Sequence, residues 1–122
     1  MPNRNSYFFQ SLILLGGLCA GCAASSFDKA TGTDGIHVSY HHNGSLKAVE
    51  EFRHGKPDGI QRAYDEDGNL KTAKFYENGR LTMLNAYYPE GLLWNKEIYE
   101  DGRIIEKIEY DRHGTLIAKD HF

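Results

Sequence analysis

The chain has 122 residues with a formal net charge of −3, enough for one domain plus a tail. This balance lacks the basic excess that nucleic-acid binding needs, which argues against that class of function. With 13 Gly, eight Tyr and only three Pro, the composition argues against disorder and favours many short strands joined by tight turns. The two cysteines, Cys19 and Cys22, are too close together to staple a domain.

Residues 1–21 have the composition of a signal peptide. No charged residue occurs between Asn5 and Phe27, and an apolar run of 13 residues extends from Leu12 to Ala24. This length is typical of a signal-peptide core and short for a membrane span. The alternative is an uncleaved anchor helix, which the aromatic residues 7–9 favour and the Gly16-Gly17 pair weakens.

The sequence Leu18-Cys19-Ala20-Gly21-Cys22 resembles the lipobox of bacterial lipoproteins. In that family the cysteine after the Ala-Gly pair is lipidated and becomes the new N-terminus. The resemblance therefore implies a lipid on Cys22 and a location in the bacterial cell envelope, and Ala23 resembles the pattern for the outer membrane. The alternative is that Cys22 is an ordinary small residue at a signal cleavage site. Residues 22–36 carry no pattern beyond Cys22 and predict a flexible tether.

The rest of the chain is periodic. Glycines recur every 11 to 13 residues, and each follows an aromatic residue by three or four positions in strict alternation. The glycines are Gly44, Gly55, Gly68, Gly79, Gly91, Gly102 and Gly114. The aromatic residues are Tyr40, Phe52, Tyr64, Tyr76, Tyr87, Tyr99 and Tyr110. The full repeat is therefore about 23 residues, and its polar turns that end in glycine predict an antiparallel meander.

A second regularity predicts how the strands pair. A Leu or Ile lies six residues before most of these aromatic residues, so each turn is bracketed by an aromatic residue and an aliphatic one. We expect the two to form a cross-strand pair, with all such pairs on one face because six is an even separation. That face would include Thr72 and Met83. Around Pro57-Asp58-Gly59 the rule fails, and we expect a wider turn or a β-bulge there.

Neither face predicted in this way is apolar enough for a sandwich core. The sequence therefore predicts an all-β fold in which residues 37–122 form a single antiparallel meander of seven or eight short strands. Units such as residues 76–81 and 52–59 resemble the variant MORN repeat of the bacterial YwqK-like group, described as antitoxin-family proteins. The resemblance implies a sheet of stacked β-hairpins, a non-enzymatic role, and contact with protein or membrane.

The sequence shows no catalytic, metal or cofactor pattern. His41, His54 and His113 lie in different turns, and the acidic side chains that are neighbours in sequence either diverge or lie in solvated turns. We therefore expect a non-enzymatic protein without metal or cofactor. Trp94 is the only tryptophan and the best candidate for a partner contact.

These observations leave three hypotheses about function. In the first, a lipoprotein displays a repeat sheet that binds a protein or an envelope component. In the second, the protein has a structural role and self-associates through sheet edges. In the third, which follows the family resemblance, an antitoxin-like protein neutralises a partner that acts in the envelope.

Overall fold

The structure, a computed structural model, describes residues 34–122, which form one antiparallel sheet. The strands are β1 (Gly35–Tyr40), β2 (Leu46–Arg53), β3 (Lys56–Pro57), β4 (Gly59–Tyr64), β5 (Leu70–Glu77), β6 (Arg80–Tyr87), β7 (Leu93–Glu100), β8 (Arg103–Tyr110) and β9 (Leu116–His121). Their order is β1-β2-β4-β5-β6-β7-β8-β9, and the short β3 pairs with β2. The predicted all-β meander is confirmed. β1 begins at Gly35, inside the predicted tether, because Ile36 pairs with Glu51 and is only 6% exposed.

The connections between strands are of two kinds, which lie at opposite ends of the strands. At one end, the turn edge, two residues connect each pair of strands: residues 54–55, 78–79 and 101–102. At the other end, the loop edge, the loops are residues 41–45, 65–69, 88–92 and 111–115. The alternating distance from aromatic residue to glycine in the sequence corresponds to this alternation of short turns and longer loops.

Backbone angles identify the turns as type I′. His54, Asn78 and Asp101 have φ values of 52°, 49° and 50°, and the glycine that follows each also has a positive φ. Two consecutive left-handed residues match the right-handed twist of the flanking strands. In Asn78-Gly79 both residue types are common in this conformation, so this turn forms at little cost.

The loops share one hydrogen-bond pattern. In loop 65–69 the N–H of Asp65 donates to the carbonyl of Asn69 at 2.9 Å, and the N–H of Gly68 donates to the carbonyl of Asp65 at 3.1 Å. The Asp65 carboxylate also accepts the N–H groups of Asn69 and Asp67 at 2.8 and 3.0 Å, and these bonds lower the pKa of Asp65. The loops are therefore closed by their own backbone and side chains.

The predicted aromatic–aliphatic pairs are present. Tyr40 pairs with Leu46, and the same relation holds for Tyr64, Tyr76, Tyr87, Tyr99 and Tyr110 with Leu70, Leu81, Leu93, Ile104 and Leu116. At every one of these pairs the register shifts by one residue, which marks a β-bulge. The extra residue is the one after the aliphatic: Lys47, Lys71, Thr82, Trp94, Ile105 and Ile117.

The bulges make one prediction wrong, namely that all the pairs share one face. Thr72 pairs with Ala86, whereas Met83 pairs with Phe75, so Thr72 and Met83 lie on opposite faces. Each bulge inserts one residue into a strand and so reverses the alternation of side chains between faces. As a result, Ile60, Phe75, Met83 and Ile98 form an apolar row on one face, and the other face carries a row of mostly small residues that includes Ala63 and Ala86.

The sheet is a single layer. Substantial contacts between elements occur only between strands that are neighbours in the sheet. Among the described residues, the buried apolar ones are Ile36, Ala73, Ala86 and Ile108, and each keeps a few per cent of its surface exposed. Most other strand residues are half-buried, so stability comes from pairing between adjacent strands, as in other repeat proteins.

The irregularity predicted at Pro57-Asp58-Gly59 is a β-bulge. Phe52 pairs with Pro57 in β3, but Val49 pairs with Arg62 in β4, so β3 and β4 together contain extra residues opposite β2. Gly59 has a φ of 113°, and a Cβ there would lie 2.2 Å from the Glu51 carboxylate. The positive φ therefore requires glycine here, whereas the Glu51 carboxylate ends a flexible side chain that can shift away from a Cβ.

The repeat arrangement predicts unequal costs for equivalent aromatic residues. We expect Tyr76→Ala to lower the free energy of unfolding by about 2–4 kcal/mol, near the lower part of the range for buried aromatic residues, because strands flank Tyr76 on both sides. Tyr40→Ala should cost clearly less, because β1 is an end strand and Tyr40 is 53% exposed. Urea denaturation followed by circular dichroism measures both. Equal losses would contradict a sheet stabilised by neighbouring strands.

Candidate functional site

A cluster of aromatic and charged side chains lies at the loop edge, where loops 88–92 and 111–115 are neighbours. Tyr88 is the first residue of its loop, and its N–H donates to the carbonyl of Leu92 at 2.8 Å. Its hydroxyl donates to the carbonyl of Tyr110 at 3.1 Å, across to the end of β8. The bond to Tyr110 fixes the tyrosine ring against the adjacent loop.

Arg112 covers the ring of Tyr88. Its guanidinium carbon lies 4.9 Å from the ring centroid, within the range of a cation–π interaction. The same guanidinium donates to Glu90 Oε1 at 2.8 Å, and both side chains of this ion pair are more than half exposed. The pair adds little stability because solvent screens it, but it holds Arg112 in place on the ring.

Trp94 completes the cluster. Its ring lies 6.4 Å from that of Tyr88 at an angle of 49°, and the residue is 39% exposed. Trp94 is the extra residue of the bulge between the pairs Tyr87–Leu93 and Ala86–Asn95. Bulges re-aim side chains, and this one places the only tryptophan at an exposed position beside Leu92, which is 42% exposed.

Trp94 also belongs to a row that runs along the loop edge. The bulge row, as we call it, consists of the extra residues at this edge: Lys47, Lys71, Trp94 and Ile117. All four are exposed. The first two residues of the row are therefore basic and the last two are apolar, so the two halves of the loop edge differ in chemistry.

A second polar cluster lies on β7. Glu97 accepts hydrogen bonds from Asn95 Nδ2 at 3.1 Å and from the Tyr99 hydroxyl at 2.5 Å. Burial, followed by the bond to Glu97, raises the pKa of Tyr99 to about 12. Asn95 is 4% exposed, and its Oδ1 has no hydrogen-bond partner in the part of the chain that the structure describes. The Glu97 carboxylate is thus engaged in positioning its neighbours within the strand.

The residues predicted from sequence are placed as follows. The seven turn glycines all have positive φ values, between 72° and 91°. Cys22 lies outside the described residues. His41 and His113 are at the loop edge, whereas His54 is at the turn edge. Among residues 34–122, no group of three His, Cys, Asp or Glu side chains is placed to hold a metal ion, and no helix is long and apolar enough to cross a membrane.

Sequence reasoning identified Trp94 but not Tyr88, Glu90 or Arg112. Tyr88 lies one residue beyond the periodic Tyr87, and Arg112 is 24 positions further along the chain. One signal was available: of the adjacent aromatic pairs Phe75-Tyr76 and Tyr87-Tyr88, only the second has its extra aromatic residue after the periodic one. The contact between Tyr88 and Arg112 follows only once the two loops are known to be neighbours.

The family model for the MORN repeat variant matches residues 33–54 and 57–78. Two adjacent repeats of this chain thus match that variant. No curated protein matches the chain. The crystal structure of the GtfA/B complex bound to UDP and GlcNAc is similar with a TM-score of 0.43 and 16% identity. The match covers 78% of this chain and only 26% of that one, so this chain spans about a quarter of its length.

The bond between Tyr88 and Tyr110 can be tested alone. Tyr88→Phe keeps the ring under Arg112 but removes the donor to the Tyr110 carbonyl. We expect the free energy of unfolding in urea to fall by about 1 kcal/mol, the usual net value of such a bond. Tyr40→Phe, at a residue that is 53% exposed, is the matched control and should change the value by much less.

The raised pKa of Tyr99 predicts a loss of stability in alkali. Because the fold favours the neutral phenol, its contribution is present below the ordinary pKa of 10.0 and is lost as pH rises towards 12. In urea titrations at a series of pH values, the stability advantage of wild type over Tyr99→Phe should shrink across this interval. An advantage that stays constant would show that the phenol titrates as it does in the unfolded chain.

Proposed function

We propose that the protein is a lipid-anchored protein of the bacterial cell envelope that binds a protein partner through the loop edge around Trp94. The exposed cluster of Trp94, Tyr88 and Arg112 is the observation that carries the binding role. Trp, Tyr and Arg are the residue types most enriched among those that dominate binding energy at protein interfaces. Here the ring of Tyr88 is held in advance by Tyr110 and Arg112, so binding orders fewer side chains.

The charges around the cluster suggest the chemistry of the partner surface. Arg112 and Glu90 form an ion pair at 2.8 Å, so neither presents an isolated charge beside Trp94. Further along the bulge row, Lys47 and Lys71 are exposed and basic. A partner with an apolar pocket for Trp94 and acidic groups to one side would complement this edge.

The anchoring role rests on residues 18–22 and is compatible with the direction of the sheet. Gly35 pairs with Phe52 beside the turn edge, and the Asp34 carboxylate accepts the N–H of His54 in the turn there. The chain thus enters the sheet at the turn edge. The described chain therefore begins at the edge of the sheet opposite the loop edge and Trp94. We favour the outer membrane because Ala23 follows Cys22.

The anchor is tested by labelling with palmitate. In bacterial cells, wild type should incorporate labelled palmitate and Cys22→Ser should not, because the lipid-bearing thiol is gone. The variant should also persist as a precursor of higher mass, since lipidation precedes signal removal in lipoproteins. Cys19→Ser is the matched control and should keep the label. Labelling of Cys22→Ser would contradict the proposed anchor.

The binding surface is tested by cross-linking in cells. A photoreactive phenylalanine analogue in place of Trp94 should give a discrete adduct with one protein after irradiation. The same analogue in place of Thr82, a bulge residue at the opposite, turn edge, should give a weaker adduct or none. Because Arg112 fixes the cluster, adding Arg112→Ala to the Trp94 probe should also weaken the adduct. Absence of a protein adduct at position 94, or equal adducts at both positions, would contradict the proposed interface.

A further inference from the structure

The two end strands of the sheet carry a feature that the proposed function does not use. In the described part of the chain, β1 pairs only with β2 and β9 pairs only with β8. Each end strand therefore has one row of backbone N–H and C=O groups that is not paired within this sheet. Neither strand contains Trp94, so these edges are separate from the cluster described above.

The outer row of β9 can be identified from one hydrogen bond. The N–H of Phe122 donates to the carbonyl of Ile105 in β8 at 3.0 Å. Because backbone groups alternate in direction along an antiparallel strand, Asp120 also faces β8, whereas Lys119 and His121 face outwards. The N–H of Lys119 is thus available to a further strand.

The outer row of β1 follows in the same way. The carbonyl of Glu51 in β2 accepts the N–H of Asp58, so Glu51 faces β3 and β4. Glu50 therefore faces β1 and bonds with its partner His37. On β1 the alternate residues, Ile36 and Val38, then face outwards.

The two rows match each other in the register that the sheet already uses. By the aromatic period, β9 is equivalent to β7 (Phe122 to Tyr99), and β1 is equivalent to β8 (Tyr40 to Tyr110). In the sheet, Lys96 of β7 pairs with Ile108 of β8, and Glu97 pairs with Lys107. The same register between β9 and β1 would place Lys119 against Val38 and Asp120 against His37. Ala118 would lie against Ser39.

Two of these three pairs repeat the chemistry of the existing ones, and the third replaces Asn95–Glu109 by the small residues Ala118 and Ser39. A lysine again lies across from a β-branched aliphatic residue, and an acidic residue again lies across from a basic one. The joint would put Asp120 across from His37, which already stacks on Phe52 at 4.7 Å. On the face that carries Lys119, the Glu106 carboxylate lies 3.3 Å from Lys119 and 3.2 Å from His121. Glu106 therefore holds both of these β9 side chains in place beside the proposed contact.

From this correspondence we infer that copies of this chain join head to tail, with β9 of one copy pairing antiparallel to β1 of the next. The joint continues the sheet without a change in direction or register. The contact is heterologous, so each copy of a dimer still has one unpaired end strand and association proceeds beyond the dimer. Leu116 and Ile117, which are 54% and 62% exposed, lie on the strand that the next copy would cover, and Phe122, which is 77% exposed, directly follows it.

The test uses the full chain in a density-matched detergent, with sedimentation equilibrium as the measurement. Wild type should form species larger than a dimer as concentration rises. Lys119→Pro and Val38→Pro each remove one outward N–H and no bond inside the sheet, as proline is tolerated in edge strands. Each variant alone should be monomeric, and an equimolar mixture of the two should form dimers only. The double variant should be monomeric in every mixture.

Other patterns overturn the inference. A monomeric wild type excludes the joint, and a dimer of Val38→Pro alone indicates a symmetric β9–β9 contact instead. Circular dichroism shows whether the proline variants fold. Two double variants keep every backbone N–H and test the register. Ala118→Lys with Ser39→Lys places like charges across from each other and should lose association. Ala118→Lys with Ser39→Glu places opposite charges there and should keep it. Equal association of these two would contradict the register. Trp94→Ala should associate like wild type, which separates this inference from the proposed binding site.

Discussion

Pairing between neighbouring strands is the interaction on which this structure depends. Within residues 34–122 no second layer covers either face of the sheet, and the buried apolar residues are only two alanines and two isoleucines. What takes the place of a core is a repeated cross-strand pair of an aromatic and an aliphatic side chain at alternate ends of the strands. Each strand inside the sheet has a neighbour on both sides, and each end strand has only one. The stability that a strand contributes therefore depends on its position in the sheet.

The bulge beside each pair links this packing to function. By inserting one residue, it reverses the alternation of side chains, so successive pairs lie on opposite faces. Tyr99 bonds with Glu97 on one face, whereas Tyr87 lies with Asn85 on the other, 3.4 Å from the Asn85 amide. Both faces are therefore partly covered by aromatic rings. The extra residue itself is outside the paired ladder and is free to vary, and in the third loop-edge bulge it is Trp94.

The sequence contains the period of the fold but not its bulges. The spacing of glycines and aromatic residues predicts the meander and the aromatic–aliphatic pairs, because turns and pairs each require particular residue types. A bulge of this kind requires none: lysine, threonine, tryptophan and isoleucine all occupy the extra position. The faces were therefore predicted wrongly. The Tyr88–Arg112 contact is non-periodic, so the repeat pattern could not reveal it either.

The direction of the strands connects the proposed anchor, binding edge and assembly. In every copy the described chain begins beside the turn edge, where the Asp34 carboxylate accepts the N–H of His54. A head-to-tail joint preserves strand direction, so the N-termini of successive copies would lie along the same edge of the extended sheet. Lipids on these copies could then insert into one membrane, and each Trp94 would lie along the opposite edge. A symmetric contact between two β9 strands would instead place the starts of the two described chains at opposite edges of the extended sheet.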